Sequence, residues 1–208
     1  MLTVHHLGIS QSERIVWLCE ELQIPYELKL YKRAPLMAPP EYKALHALGT
    51  APIITDGKLT MAESGAIVEY IVHTYGGGRL IPKPGSALWV DYLFWFHFAN
   101  GSFLPTLGRG MFLKFAGVSD DHPLIHSTTK RRDAMLDMVE KRLSEADYFA
   151  GAELTAADIM SVFSLTTGQR FMPLDLSVRP GIARYLERVK ARPAYQRAMA
   201  KAEPGGVQ

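Results

Sequence analysis

Two short stretches hold the residue types from which a binding chemistry can be built: Thr50-Ala51-Pro52-Ile53-Ile54, and Glu63-Ser64 at the head of an apolar, helix-like run. A proline after a small residue at a strand entrance fixes the local backbone, in the cis form where a tight turn demands it. The preceding N–H and C=O then face outward. An acid and a hydroxyl at a helix start add two further contacts. The carboxylate can hold an ammonium, and the hydroxyl with the free N–H groups of the first turn can hold a carboxylate. Together they make a clamp for a small zwitterionic peptide.

The surrounding pattern predicts what positions this clamp. Leu2-Thr3-Val4-His5-His6 reads as a strand. Residues 12–23 read as a helix with Ile15, Leu18, Cys19 and Leu22 on one face. Pro25 stops it, and Tyr26, Leu28 and Leu30 alternate with polar residues as a second strand. A short helix is expected over Pro40–Ala47. A hairpin is expected with Asp56-Gly57 as its two-residue turn, then a helix from Ser64 to Tyr75. The order is β-α-β-α-β-β-α, with a parallel first crossover and a mixed sheet. It is complete by residue 76. The breaker-rich segment 77–85 reads as a linker.

Residues 86–208 read as all-helical. A long aromatic helix is expected over 86–115, breaking at Gly101 or Pro105, and another over 123–146 with Leu136, Val139 and Leu143 inward. Thr155-Ala156-Ala157-Asp158 is a capping-box variant with Leu154 and Ile159 placed as its hydrophobic staple. The last segment carries Ile182, Tyr185, Leu186 and Val189 and is expected to end at Pro193.

Composition excludes several classes. Across 208 residues the net charge is +2 and the basic residues are scattered, which argues against nucleic acid. A single cysteine, Cys19, leaves no intrachain disulfide or CxxC pair, and it lies on the apolar face of its helix. The histidines lack metal-ligand spacing, so no metal is expected. The apolar stretch 88–98 is too short and too interrupted to span a bilayer. With no leader at residues 1–8, a cytoplasmic protein is the expectation.

The chain resembles the soluble glutathione S-transferases over nearly its whole length. The resemblance rests on Ser10-Gln11-Ser12-Glu13-Arg14, Thr50-Ala51-Pro52, Glu63-Ser64-Gly65-Ala66-Ile67 and the Thr155–Asp158 box, in that order and spacing. Leu30–Arg33 with Ala38-Pro39-Pro40-Glu41 looks most like the bacterial and fungal branch, near yeast-type enzymes. The resemblance implies a thioredoxin-like domain over 1–76 and an all-helical domain over 86–208, in a homodimer. It implies that the backbone of Ala51, before a cis Pro52, pairs with the cysteinyl part of glutathione, and that Glu63 and Ser64 hold the γ-glutamyl end. Ser10 matches the hydroxyl that contacts sulfur in serine-type members, with Ser12 as the alternative. Where many relatives have Lys or Gln, this chain has Thr50. The glycyl carboxylate is therefore left to Lys32, Arg33 or His46 on charge alone.

The chemistry this implies is modest. Glutathione's thiol, with a cysteine-like pKa of about 8.5, must be held as the nucleophilic thiolate. Lowering that pKa by ~2 units takes about 2.7 kcal/mol. A hydroxyl donated to a charged acceptor supplies roughly 1.5–3 kcal/mol, and a helix N-terminus about 0.3–1 kcal/mol. A serine at a helix start therefore suffices without a metal or a proton-abstracting dyad. His5 and His6 read as strand residues rather than partners of the sulfur, and Arg14 as a helix ion pair. The family places the electrophile against the first long helices of the second domain. Trp95, Phe96, Phe103, Met111, Phe112 and Phe115 are concentrated there, and Arg109 with Phe112 are the expected contacts. The expectation is a glutathione transferase acting on hydrophobic electrophiles, with peroxide reduction as a further use of the same thiolate. The alternative is a transferase-like binding or regulatory protein without turnover.

Overall fold

The computed structural model describes residues 1–34 and 37–204. They fall into two compact units, 1–81 together with 189–204, and 82–188.

The first unit is built on a four-stranded mixed sheet of order β2-β1-β3-β4, with β1 Leu2–Leu7, β2 Glu27–Tyr31, β3 Ile53–Asp56 and β4 Leu59–Ala62. β1 pairs parallel with β2 and antiparallel with β3, so the expected crossover through α1 (Glu13–Leu22) is present. All of β1 is buried, because a central strand is covered on both faces. β2 is an edge strand, and Leu30 is half exposed rather than inward. The short helix α2 (Pro40–Lys43) stops earlier than expected, and α3 (Ser64–Thr74) follows β4.

The hairpin turn is displaced by one residue. Asp56 still pairs with Leu59, so the loop is Gly57-Lys58, and Gly57 supplies the positive φ of +57° that such a turn requires. Asp56 remains in the strand, where its carboxylate accepts from the Tyr70 and Tyr75 hydroxyls.

In the second unit the aromatic helix does not stop at Gly101. α4 (Trp89–Phe98) runs into a π-helical stretch, Ala99–Phe103, and on into α5 (Leu104–Phe115). The helix absorbs its irregular residues by widening rather than ending. α6 (Pro123–Glu145) buries Leu136, Val139 and Leu143 as expected.

α7 (Ala156–Leu165) opens on the expected capping box. Thr155 Oγ1 accepts from the Ala157 N–H at 3.3 Å and Asp158 Oδ2 accepts from the Thr155 N–H at 2.8 Å. Asp158 also accepts from the Phe149 N–H at 2.9 Å, tying the preceding loop to the helix. Burial pushes its carboxyl up to about 6 despite these donors.

The helix carrying Ile182 to Val189 does end before Pro193, but it is not the last. After α8 (Pro180–Lys190), Pro193 starts a further helix, α9 (Pro193–Ala202). Proline at the first helical position loses no hydrogen bond, so here it marks a start. α9 packs along α1 in the first unit, although the sequence boundaries group these residues with the helical half. Tyr195 meets the Trp17 ring edge-on at 5.1 Å, Arg192 makes a two-pronged pair with Glu21 at 2.6 and 2.9 Å, and Arg197 and Lys201 both bind Glu20. This cover explains why α1 is buried nearly all round instead of on one face.

Candidate functional site

Strand register decides where the candidate residues go. Ile53 lies opposite His5 of β1 and opposite Ala62 of β4. From that row β1 runs on into the turn 8–12, β3 enters from Ala51-Pro52, and β4 leaves into Glu63-Ser64. The three stretches picked out in the sequence therefore emerge at one end of the sheet. Beneath them Leu7, Ala38, Tyr42, Ile53 and Ala62 form an apolar cluster, with Ala51 packed against it. The Ala51-Pro52 bond is cis. Pro52 is buried, Ala51 half-buried and Thr50 exposed.

The serines form a linked pair. Ser10 Oγ and Ser12 Oγ are 2.7 Å apart, and Ser10 Oγ also accepts from the Ser12 N–H at 3.2 Å. Ser12 occupies the N-cap position of α1 but does not cap it. Its hydroxyl turns back to the strand, accepting from the Leu7 N–H at 3.1 Å and meeting His6 Nδ1 at 2.9 Å. His6 Nε2 lies 3.1 Å from Glu203 Oε1, which also accepts from the Ile9 N–H at 2.5 Å. His6 is thus more than a strand residue. It lies within a chain of hydrogen bonds that reaches Ser10.

The turn itself is strained. Ile9, β-branched, has φ +51°, a conformation such residues avoid. It is held there from both sides, by Glu203 on its N–H and by Arg33, whose guanidinium donates to the carbonyls of Gly8 at 2.8 Å and Ile9 at 2.7 Å. Burial opposes ionisation of Glu203, but the hydrogen bonds from His6 and Ile9 and the nearby Arg33 outweigh it and hold the carboxyl below its usual range.

Arg33, a candidate for the glycyl carboxylate, therefore braces the turn. Lys32 is exposed, and His46 Nδ1 accepts from the Leu48 N–H at 3.2 Å.

Arg14 is fully buried and bridges two parts of the site. It donates to Gln11 Oε1 at 2.9 Å and to Ser64 Oγ at 3.4 Å. Burial brings its guanidinium down to about 10, against the supporting charge of Glu13. Glu63, by contrast, is exposed, with φ +70° immediately before α3. A non-glycine residue in that conformation at a helix start is backbone strain at a place where ligand contact is expected.

His5 and Cys19 stand apart from this chemistry. The His5 ring bonds Tyr31 Oη at 3.0 Å and Thr55 Oγ1 at 3.1 Å, and burial, then Lys29, lowers its pKa. Cys19 is fully buried, and burial pushes its thiol far up, so it is no nucleophile.

In the second unit Trp95, Phe96 and Phe103 are core residues. Arg109 and Phe112 are exposed on α5. A cavity of about 170 Å³ lies on another side of that helix, lined by Leu107, Met111, Ile125, Thr128, Arg132 and Phe171. Neither Arg109 nor Phe112 lines it.

The sequence reading missed Glu203. The signal available was Pro193 followed by an alanine-rich, helix-favouring run ending at Ala202. Pairing Glu203 with His6 spans almost the whole chain and leaves no local trace.

Comparison with known proteins identifies the family. Residues 10–74 match the model for the glutathione S-transferase N-terminal domain, and residues 103–193 the model for its C-terminal domain. The chain is 33% identical to glutathione S-transferase 3 of Schizosaccharomyces pombe, over 98% of this chain and 88% of that protein. A glutathione S-transferase structure from Actinobacillus pleuropneumoniae superposes with a TM-score of 0.90 at 32% identity, covering 100% of this chain and 95% of that one. A Phanerochaete chrysosporium glutathione transferase holding oxidized glutathione shares the fold at TM-score 0.78 and 21% identity, covering 98% and 95%. With a thioredoxin-like sheet unit, a helical unit and relatives matched along their length, this chain belongs to the glutathione S-transferase family.

Proposed function

We propose that the first unit binds glutathione across the end of the sheet and holds its sulfur as the thiolate, which is then added to hydrophobic electrophiles. The backbone of Ala51, between Thr50 and Pro52, pairs with the cysteinyl residue, and Glu63 with Ser64 receives the γ-glutamyl end. Ser10 donates to the sulfur. Ser12 is the weaker alternative, because its hydroxyl already has Leu7, His6 and Ser10 around it, while among the described residues the Ser10 hydroxyl meets only Ser12. Arg109 and Phe112, exposed on α5, are assigned to the electrophile. A homodimer in the cytoplasm with a detoxifying role fits the family.

The observation that supports this reading most is the strand register, which brings residues distant in sequence to one sheet end. Catalysis then needs little more than a low thiol pKa and an electrophile held alongside. Retention on glutathione-agarose combined with conjugation of a chlorinated nitroarene tests it. Retention with turnover is the expected result. Retention without turnover supports the second reading, a binding or regulatory protein on the same fold, and no retention removes both.

A further inference from the structure

A line of hydrogen bonds runs behind Ser10: Ser10 Oγ, Ser12 Oγ, His6 Nδ1, His6 Nε2, Glu203 Oε1, with separations of 2.7, 2.9 and 3.1 Å between groups. Every member but Glu203 is almost fully buried. The donors can be assigned by elimination. Glu203 is ionised and can only accept, so His6 Nε2 carries a proton. Ser12 Oγ accepts from the Leu7 N–H, which leaves it one lone pair and one proton for His6 at 2.9 Å, Ser10 at 2.7 Å and the more distant Leu7 carbonyl at 3.4 Å.

Two arrangements carry hydrogen bonds along the whole line. With His6 neutral, Ser12 donates to Nδ1 and accepts from Ser10, so the Ser10 proton points inward. With His6 protonated on both nitrogens, Nδ1 donates to Ser12, Ser12 donates to Ser10, and the Ser10 proton is free to point out. Passing one arrangement to the other requires one proton to enter at Ser10 and one to arrive at Nδ1.

We propose that His6 and Glu203 are positioning residues that collect the glutathione thiol proton through Ser12 and Ser10. The sulfur gives its proton to Ser10 Oγ, Ser10 gives its own to Ser12, and Ser12 gives its own to His6 Nδ1. The S–H bond breaks, an N–H bond forms, and both hydroxyls are regenerated with their direction reversed. The product state has a thiolate facing a Ser10 hydroxyl that now donates to it. The imidazolium lies against the Glu203 carboxylate, whose charge Arg33 also supports. α9 thereby acquires a role, since it carries the chain to Glu203. The inference rests on the assignment of Ser10 to the sulfur.

The test is a proton balance. Thiolate formed on binding glutathione at pH 6.5 is read by its ultraviolet absorbance, and protons released to the medium are read in parallel with a pH indicator. For the wild-type chain, thiolate is expected to exceed released protons by up to one per site. In Glu203→Gln and in His6→Asn the two quantities should become equal. The kcat/KM of Glu203→Gln should fall about tenfold at pH 6.5, with little change at pH 9, where the thiol ionises unaided. Thiolate formation matched by an equal proton release in the wild type would overturn the relay while leaving the Ser10 contact standing. Absence of thiolate altogether would instead remove the underlying site assignment. Because the decisive comparison is made on the wild type, it holds even if His6→Asn fails to fold.

Discussion

In the proposed assignment, Ser10 and Glu63 divide the chemistry between them at the level of single residues. One is buried within a hydroxyl pair, and the other is exposed on a strained backbone at a helix start. If Glu63 holds the γ-glutamyl ammonium, Glu63→Gln loses a charge-assisted hydrogen bond of about 1.5–3 kcal/mol. Glutathione affinity should then fall roughly 10- to 100-fold with the fold intact, as calorimetric titration would measure. An unchanged affinity would remove Glu63 from the site. Of the proposed site residues the sequence picked out those marked by local pattern: the Ala51-Pro52 strand entrance, Glu63-Ser64 at a helix start, and Ser10 by resemblance. His6, Arg33 and Arg14 were misjudged or left open, because each draws its role from a partner on another element: Glu203, the Gly8–Ile9 carbonyls and Ser64.

The elements tell a similar story, and two of them carry predictions. α9 is fixed on α1 by the Trp17–Tyr195 contact and by paired charges on Glu20 and Glu21. Truncating a buried aromatic costs about 3–5 kcal/mol, so Tyr195→Ala should lower the urea midpoint by that equivalent and, by releasing Glu203, slow conjugation near neutrality. Stability equal to the parent would mean α9 is dispensable.

Asp158, at the start of α7, gives a pH signature of definite sign. Its folded pKa is raised to about 6 while an unfolded aspartate titrates near ~3.9. The folded state thus keeps a proton that the unfolded chain releases, and stability is lost as pH rises from about 4 to 6, on the order of 2–3 kcal/mol. Asp158→Asn removes this slope, so the difference between parent and variant should change across that window. Parallel pH profiles would contradict it. The sequence revealed this capping box because its partners are three residues apart. It concealed α9 because Pro193 was read as a stop, and the π-helical passage because widening a turn alters no periodic signal over so few residues.

For the molecule as a whole, the sequence conveyed the order of the strands and helices and the division into a sheet unit and a helical unit. It did not convey that the chain's last helix returns to the sheet unit, since that return is a matter of three-dimensional packing. Among the described residues no helix is long and apolar enough to cross a membrane. A homodimer of the 23.2 kDa chain should sediment at twice that mass, and a species of 23.2 kDa at micromolar concentration would refute it. The state of the bound sulfur decides whether the proposed chemistry operates. Titration of glutathione on the protein, followed by thiolate absorbance, should give a thiol pKa at least one unit below that of free glutathione, and Ser10→Ala should return it most of the way. A bound thiol that titrates like the free one, or a lowered pKa that survives Ser10→Ala, would contradict it.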